Sequence, residues 1–311
     1  MGSMIMRYRT LSQYPAIFLK MTGRRLGEFD QLVADLMPPL VEGERRRRER
    51  AGRKRAIGGG RQSALDERDQ LLLTVVWLRQ YPTHEGLGYL LGVHPPTVGR
   101  YLERVLPLLE QAGRDPMRKP DPGRKRRRKL DALLADTPEL AVVIDRFEQK
   151  IQRPKDKTKP DADYSGKKKS HTLKSQVAVD EETGAMADVS DRVPGPTADL
   201  RLLEQSRLWE RLAEGVAGLG DSADQGLAKL HPLCASPRKK PCRKNKPRPP
   251  EDLRYNHAFS CRRIVVENTI NRLRHYPCLT QTDRQHRQNH SRRVWAVAGL
   301  VNRQLAHRLP A

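Results

Sequence analysis

Apolar residues recur along this chain in two rhythms, and the change from one to the other falls near residue 138. Before it, the spacing is helical. Leu26, Phe29, Leu32, Val33, Leu36 and Met37 fit a 3.6-residue period and predict one short helix within residues 1–40. Residues 65–111 form a denser helical block. Asp66 is suited to cap its first helix, with Asp69 three residues on, and Leu71, Leu72, Val75, Val76 and Leu78 give one apolar face. Tyr81-Pro82-Thr83 ends that helix, because proline disfavours helical geometry in the residue before it. A short helix with Leu87, Leu90 and Leu91 inward follows, and Gly92 sits where a left-handed turn residue is wanted. Pro95-Pro96-Thr97 opens a further helix carrying Val98, Leu102, Val105, Leu106 and Leu109.

After residue 138 the pattern is that of strands. Leu140 to Ile144 is an apolar run of strand length ending in Asp145. His171 to Asp180, a turn at Glu181-Glu182-Thr183-Gly184 and Met186 to Val193 predict a hairpin. Thr197 is placed to cap a helix through about Leu212, Val216 to Gly220 reads as a short strand ending in Asp221, and Asp224 to His231 as a short helix. Ser236 to Arg248 is a basic, proline-rich loop. Phe259 to His275 predicts an amphipathic helix with Ile264, Val265, Thr269 and Leu273 on its buried side. The order predicts an α/β catalytic region, 138–308, behind an all-α region, 61–112. A helical segment with a basic linker (1–60) and a second basic linker (113–137) complete the plan.

Charge narrows the partners. Lys and Arg number 60 against 37 acidic residues, a formal charge of +23 over 311 residues, with a pI of about 10.3. The natural counter-ion is a polyanion. No stretch approaches the roughly 18 apolar residues of a membrane span, and no signal peptide is visible, so the expectation is a cytoplasmic, nucleic-acid-associated protein without a membrane partner. Apolar residues are 37% and aromatics 5%. That aromatic poverty disfavours the base-stacking modules that read RNA. The basic runs Arg45 to Arg48 and Arg53 to Arg55, followed by Gly58 to Gly60, read as a solvated linker, and Arg114 to Lys129 as a hinge that also touches phosphate, with a merely solvated charge run as the alternative. His231, Cys234, Cys242 and Cys261 lack the paired spacing of a zinc site, and unpaired cysteines are the better reading.

Two chemistries follow. The 65–111 block contains helix, tight turn and helix, a unit that sets the start of its last helix in the DNA major groove. Thr97, Arg100 and Arg104 would face the nucleic acid, with an ordinary helical hairpin as the alternative. In the α/β region, Asp145 and Asp221 close two strands and Glu267 sits mid-helix. Ligand sites in such sheets lie at the carboxyl ends of strands, so the three acids can converge. A carboxylate cluster in a basic chain suits phosphodiester chemistry with two divalent ions about 3.5–4 Å apart, and hard oxygen ligands favour Mg2+ or Mn2+. Asp199 is a fourth candidate, although a first-turn aspartate is explained by the helix dipole alone.

The motifs carry a resemblance. Asp145, Ile151-Gln152-Arg153-Pro154, Tyr164-Ser165-Gly166-Lys167-Lys168-Lys169 and His171-Thr172-Leu173-Lys174 resemble a DDE-superfamily transposase of bacterial insertion sequences, in the harbinger-like group. Pro194 to Asp199 resembles the family's Gly-Ser-x-His-Asp segment and Asp221 to Gly226 its Asp-x-Gly-Tyr-x-Gly segment. Arg263, Glu267 and Arg274 match the spacing around the third acid, and Leu65 to Leu109 resembles the preceding helix-turn-helix. The similarity spans most of residues 8–305. It implies a ribonuclease-H-like domain, an Asp145, Asp221, Glu267 triad, hydrolytic nicking at element ends, and strand transfer by the freed 3′-hydroxyl. It also implies contacts of Lys167, Lys168, Lys169, Arg263 and Arg274 with DNA, both terminal inverted repeats and target, and at least a homodimer on the nucleoid DNA. The chain departs from the family at Arg146-Phe147 after the first acid, at Ala223-Asp224 after the second, and at Ala198 before Asp199. A second functional class, a DNA-binding regulator without catalysis, is therefore carried beside the enzyme.

Overall fold

The computed structural model describes residues 6–49, 63–115, 117, 120, 141–153, 162–213, 215–221, 226–239 and 247–308. The linker around Gly58 to Gly60, most of the second basic linker, Pro154, Ser222 to Gln225 and Cys242 lie outside them. The chain forms two compact units, one of Met1–Pro116, His275–Cys278 and Arg292–Ala311, the other of Met117–Arg274 and Leu279–Ser291. The expected catalytic region, 138–308, thus cedes residues 275–278 and 292–308 to the helical unit.

In the helical unit, residues 6–48 hold three helices where the sequence predicted one: α1 (Tyr8–Leu11), α2 (Pro15–Thr22) and α3 (Leu26–Arg48). Arg45 to Arg48, expected in a linker, are the last turn of α3. Glu42 and Glu44 receive Arg46 and Arg48 at 2.9 Å each, four residues on, which offsets the clustered positive charge. Then come α4 (Glu67–Gln80), α5 (His84–Leu91) and α6 (Pro95–Arg114). Asp66 caps α4 by accepting from the Asp69 amide at 2.7 Å. The Asp69 carboxylate does not close a capping box. It accepts from the Tyr8 amide at 2.7 Å and from Arg7 at 3.1 Å, tying α1 to α4. Asp69 through Leu78 are all buried, so α4 is the central helix and not a one-faced one. Gly92 has φ +65°, the left-handed stop the sequence predicted. The last helix of the chain was not foreseen. It lies within α11 (His290–Ala306), and its Val294 through Leu300 segment is buried.

The second unit is built on a six-stranded sheet, with the path β2 (Tyr164–Ser165), β3 (Ser170–Asp180), β1 (Ala141–Lys150), β6 (Ala217–Leu219). β1 runs antiparallel to β3 from Val142↔Asp180 to Lys150↔Thr172, and parallel to β6. The free side of β3 pairs with β4 (Met186–Val189) and β5 (Val193–Pro194). The predicted hairpin is therefore present, its returning half split in two. Val142, Ile144 and Ala178 form one buried cluster with Leu203 and Leu208, at and just beyond α7 (Asp199–Ser206), and with Leu227 of α8 (Leu227–Leu230). α7 ends earlier than the predicted Leu212, and Ala198, not Thr197, is its uncapped N-cap residue. On the other sheet face lies α9 (Pro250–Arg274), packed on β1 and β3. Its buried line is Phe259, Arg262, Val266, Thr269, Ile270 and Leu273. Of the predicted line, Thr269 and Leu273 are buried, while Ile264 is exposed and Val265 only half-buried. α10 (Pro277–Thr280) follows.

Candidate active site

Side chains alternate across a strand. Val142 and Ile144 point to the cluster under α7, so Val143, Asp145 and Phe147 point to the face that α9 covers. Asp145 was expected at the end of a strand. It lies in the middle of β1, which continues to Lys150 and pairs Asp145 with Val177. β1 and β6 are in register at Val143↔Leu219. Two more steps bring Asp145 level with Asp221, which follows the end of β6. Adjacent parallel strands are about 4.8 Å apart, and Asp221 lies near enough for its charge to act on Asp145.

Burial raises the Asp145 pKa above its ordinary value, and the Asp221 charge pushes the same way. The Arg146 backbone amide, at 2.7 Å from Oδ1, and the guanidinium groups of Arg263 and Arg146 pull it back. Arg263, on α9, donates to Asp221 Oδ1 at 3.3 Å. Its Nε is buried without a hydrogen-bond partner among the described residues. The site as described is thus two carboxylates offset in part by the charges of Arg263 and Arg146.

Glu267 is one turn beyond Arg263 on α9. It sits mid-helix, as expected, and is exposed. The reason is the rotation of α9. With Val266 and Ile270 inward, Arg263, Glu267 and Arg274 run along one flank of the helix. Among the described residues no three His, Cys, Asp or Glu side chains are gathered closely enough to hold a metal ion. Asp145 and Asp221 supply the hard oxygen donors a divalent cation takes, and their mutual repulsion is the kind of strain such a cation relieves.

Asp199 does not join them. Lys174, buried, donates to Asp199 Oδ1 at 2.9 Å and to the Thr197 carbonyl at 2.7 Å. Lys174 also lies 3.9 Å from Glu148, its register partner on β1, which accepts from Thr172 at 2.8 Å. By strand alternation Glu148 and Lys174 point to the face opposite Asp145, so Asp199 belongs to an ion-paired cluster beneath the sheet. Sequence reading missed this cluster because only the β1–β3 register brings Glu148 to Lys174.

The candidate DNA contacts divide. Lys167, Lys168 and Lys169 are exposed on the turn between β2 and β3, and Arg274 is exposed and donates to Asn271 at 3.0 Å. Arg100 is exposed on α6 and Thr97 is half-buried in its first turn. Arg104 is turned toward α3, 3.8 Å from Glu44, with its guanidinium over the Tyr101 ring. Burial, and then the Arg47 charge, lower its pKa. In the rejected zinc set, burial pushes the Cys234 thiol up to about 12, Cys261 is exposed and Cys242 is outside the described residues. No helix among the described residues is long and apolar enough to cross a membrane.

The comparisons with known proteins bear on both units. No solved structure matches the chain. The family model described as helix-turn-helix of DDE superfamily endonuclease matches residues 63–115, which hold α4, α5 and α6. A probable transposase for insertion sequence element IS702 of Microchaete diplosiphon is 29% identical over 257 residues, covering 83% of this chain and 87% of that protein. The family model described as DDE superfamily endonuclease matches residues 144–302, a span that runs from β1 to α11 and takes in Asp145, Asp221 and Glu267, so the chain belongs to the DDE superfamily endonucleases.

Proposed function

We propose that this protein is a transposase that nicks DNA at the ends of an insertion sequence and joins the freed 3′-hydroxyl to target DNA. The observation that carries the reading is the nearness of Asp221, just past the end of β6, to Asp145 on the neighbouring strand β1, with Arg263 bound to the second acid. The likeness to an insertion-sequence transposase over most of both chains supports the same reading. The catalytic unit is read as ribonuclease-H-like, with Asp145 and Asp221 on neighbouring parallel strands and Glu267 from the helix packed over them.

Asp145, Asp221 and Glu267 would hold the divalent ions, Mg2+ or Mn2+. When bound, such ions activate the attacking oxygen and stabilise the leaving one. The protein's own groups do the rest. Asp145 and Asp221 concentrate negative charge where α9 meets the sheet. Arg263 offsets that charge in the free protein and is positioned to grip a phosphate. The helix-turn-helix supplies sequence recognition through the start of α6, with Arg100 exposed and Thr97 half-buried in its first turn, while Arg104 braces α6 on α3. Synapsis of two element ends calls for at least two protomers.

The alternative, a DNA-binding regulator without catalysis, is favoured by Arg146 beside the first acid and by the exposed Glu267. Nicking of supercoiled plasmid carrying the element's ends decides between them. The expected result is Mg2+- or Mn2+-dependent nicking with 3′-hydroxyl products, reduced at least 100-fold in Glu267→Gln and in Asp145→Asn with DNA binding retained. Binding without nicking in the parent protein would establish the regulator.

A further inference from the structure

The hairpin turn between β2 and β3 has a built geometry that the triad does not use. Lys168 N donates to Ser165 Oγ at 3.3 Å, and Ser170 Oγ donates to the Lys168 carbonyl at 3.1 Å. Ser165 is buried, while Lys169 takes a left-handed φ of +49°. A lysine in that conformation is uncommon and is held there by its surroundings. The result is a short turn from which Lys167, Lys168 and Lys169 all project into solvent. At its base Tyr164 is 40% exposed, and its ring meets His171 edge-on at 5.5 Å between centroids.

The sheet fixes where this hairpin points. The Ile151 amide donates to the His171 carbonyl at 2.9 Å, which continues the β1–β3 register past Lys150. His171 therefore lies opposite Ile151, six positions beyond Asp145 on β1. Six is even, so His171 is on the Asp145 face of the sheet, and Tyr164, paired with His171, shares it. At about 3.4 Å per residue the separation is about 20 Å, which is about six base-pair steps of DNA.

We infer that the Tyr164–His171 platform and the Lys167–Lys169 turn form a second DNA contact. The lysines neutralise backbone phosphates, and Tyr164 stacks on a base exposed about six nucleotides from the cut phosphate. The inference rests on the endonuclease reading above. An aromatic ring offers a base-stacking surface that is tolerant of sequence, and three ammonium groups beside it hold the strand to that surface. A merely solvated charge run needs neither the exposed ring nor the constrained turn.

The test uses the full chain and element-end DNA carrying 5-bromodeoxyuridine at single positions across the first ten nucleotides from the cut. The expected result is a photocrosslink to the hairpin peptide that peaks near the sixth nucleotide. Tyr164→Ala should abolish it and Tyr164→Phe preserve it, both with an unchanged melting temperature. Lys167, Lys168 and Lys169 replaced together by alanine should lower the slope of log binding constant against log salt by about two to three. A parent protein that binds and nicks, but whose crosslinks and salt slope ignore these substitutions, would overturn this inference alone. Absence of specific binding by the parent protein would overturn it together with the transposase reading.

Discussion

Asp145 is a residue whose environment opposes its charge. Burial and the nearby Asp221 raise its pKa above the 3.8 of a free aspartate. The sign of the consequence follows from linkage. Below 3.8 the carboxyl is protonated in both the folded and the unfolded chain, and no penalty exists. As pH rises through the raised folded value, the native state must hold a desolvated anion that the unfolded chain hydrates freely, and stability falls. Asp145→Asn removes that term. Its melting temperature should exceed that of the parent protein at pH 7, with the gap closing as pH falls toward 3.8; thermal melts across that range would check it. A variant less stable at pH 7 would mean that Arg263 and Arg146 outweigh burial. Either way the position illustrates a limit of sequence reading. The acid was visible, but the second carboxylate beside it was placed by the register of β6.

At the scale of elements, the question is what sets the rotation of α9, since Arg263 and Glu267 depend on it. Arg262 is buried and grips Glu181, in the turn after β3, with both forks at 2.7 Å. Thr269 donates to the Gly184 carbonyl in the same turn at 2.8 Å. These two ties fix the helix at points two turns apart. Removing one member of a buried pair strands the other and costs about 3–5 kcal/mol. Glu181→Leu alone should therefore lower stability in urea by an amount of that order. Adding Arg262→Met should recover most of the loss, because no charge is then left unpaired. A double variant as unstable as the single one would show that the pair is replaceable only by itself. The sequence predicted α9 and the burial of Thr269 and Leu273, but misplaced Ile264 and Val265. Ile264 and Val265 are more apolar than Arg262, and hydropathy cannot anticipate an arginine drawn inward by a glutamate on another element.

At the scale of the whole molecule, the N-terminal helices and α11 belong to one unit. α11 crosses α6 at Gly113 and Gly299, where a Cβ on Gly113 would come 2.6 Å from the Trp295 carbonyl oxygen. Two effects compete when Gly113 becomes alanine. Helix propensity favours alanine by about 1 kcal/mol, while forcing two packed backbones apart costs about 1–3 kcal/mol. The second should win, so Gly113→Ala lowers the midpoint of chemical unfolding. Gly43, also helical, has nothing within 4 Å of its missing Cβ. Gly43→Ala should then show the propensity gain alone and raise the midpoint. Equal responses at the two positions would refute the seam. The apolar side of α11 completes the helical unit's core.

By itself the sequence determined the helix-turn-helix, the α/β hairpin, the polyanion partner and the candidate acids. Each of these depends on local period, capping or charge, which short stretches of chain carry. Tertiary structure alone decided that Asp145 is mid-strand and near Asp221, and that Asp199 lies beneath the sheet with Lys174. It likewise turned Glu267 outward and turned Arg104 toward Glu44. Those facts depend on strand register, helix rotation and charge pairing between distant segments. A one-residue change in register moves a side chain to the other face of a sheet, and no local pattern in this chain fixes it.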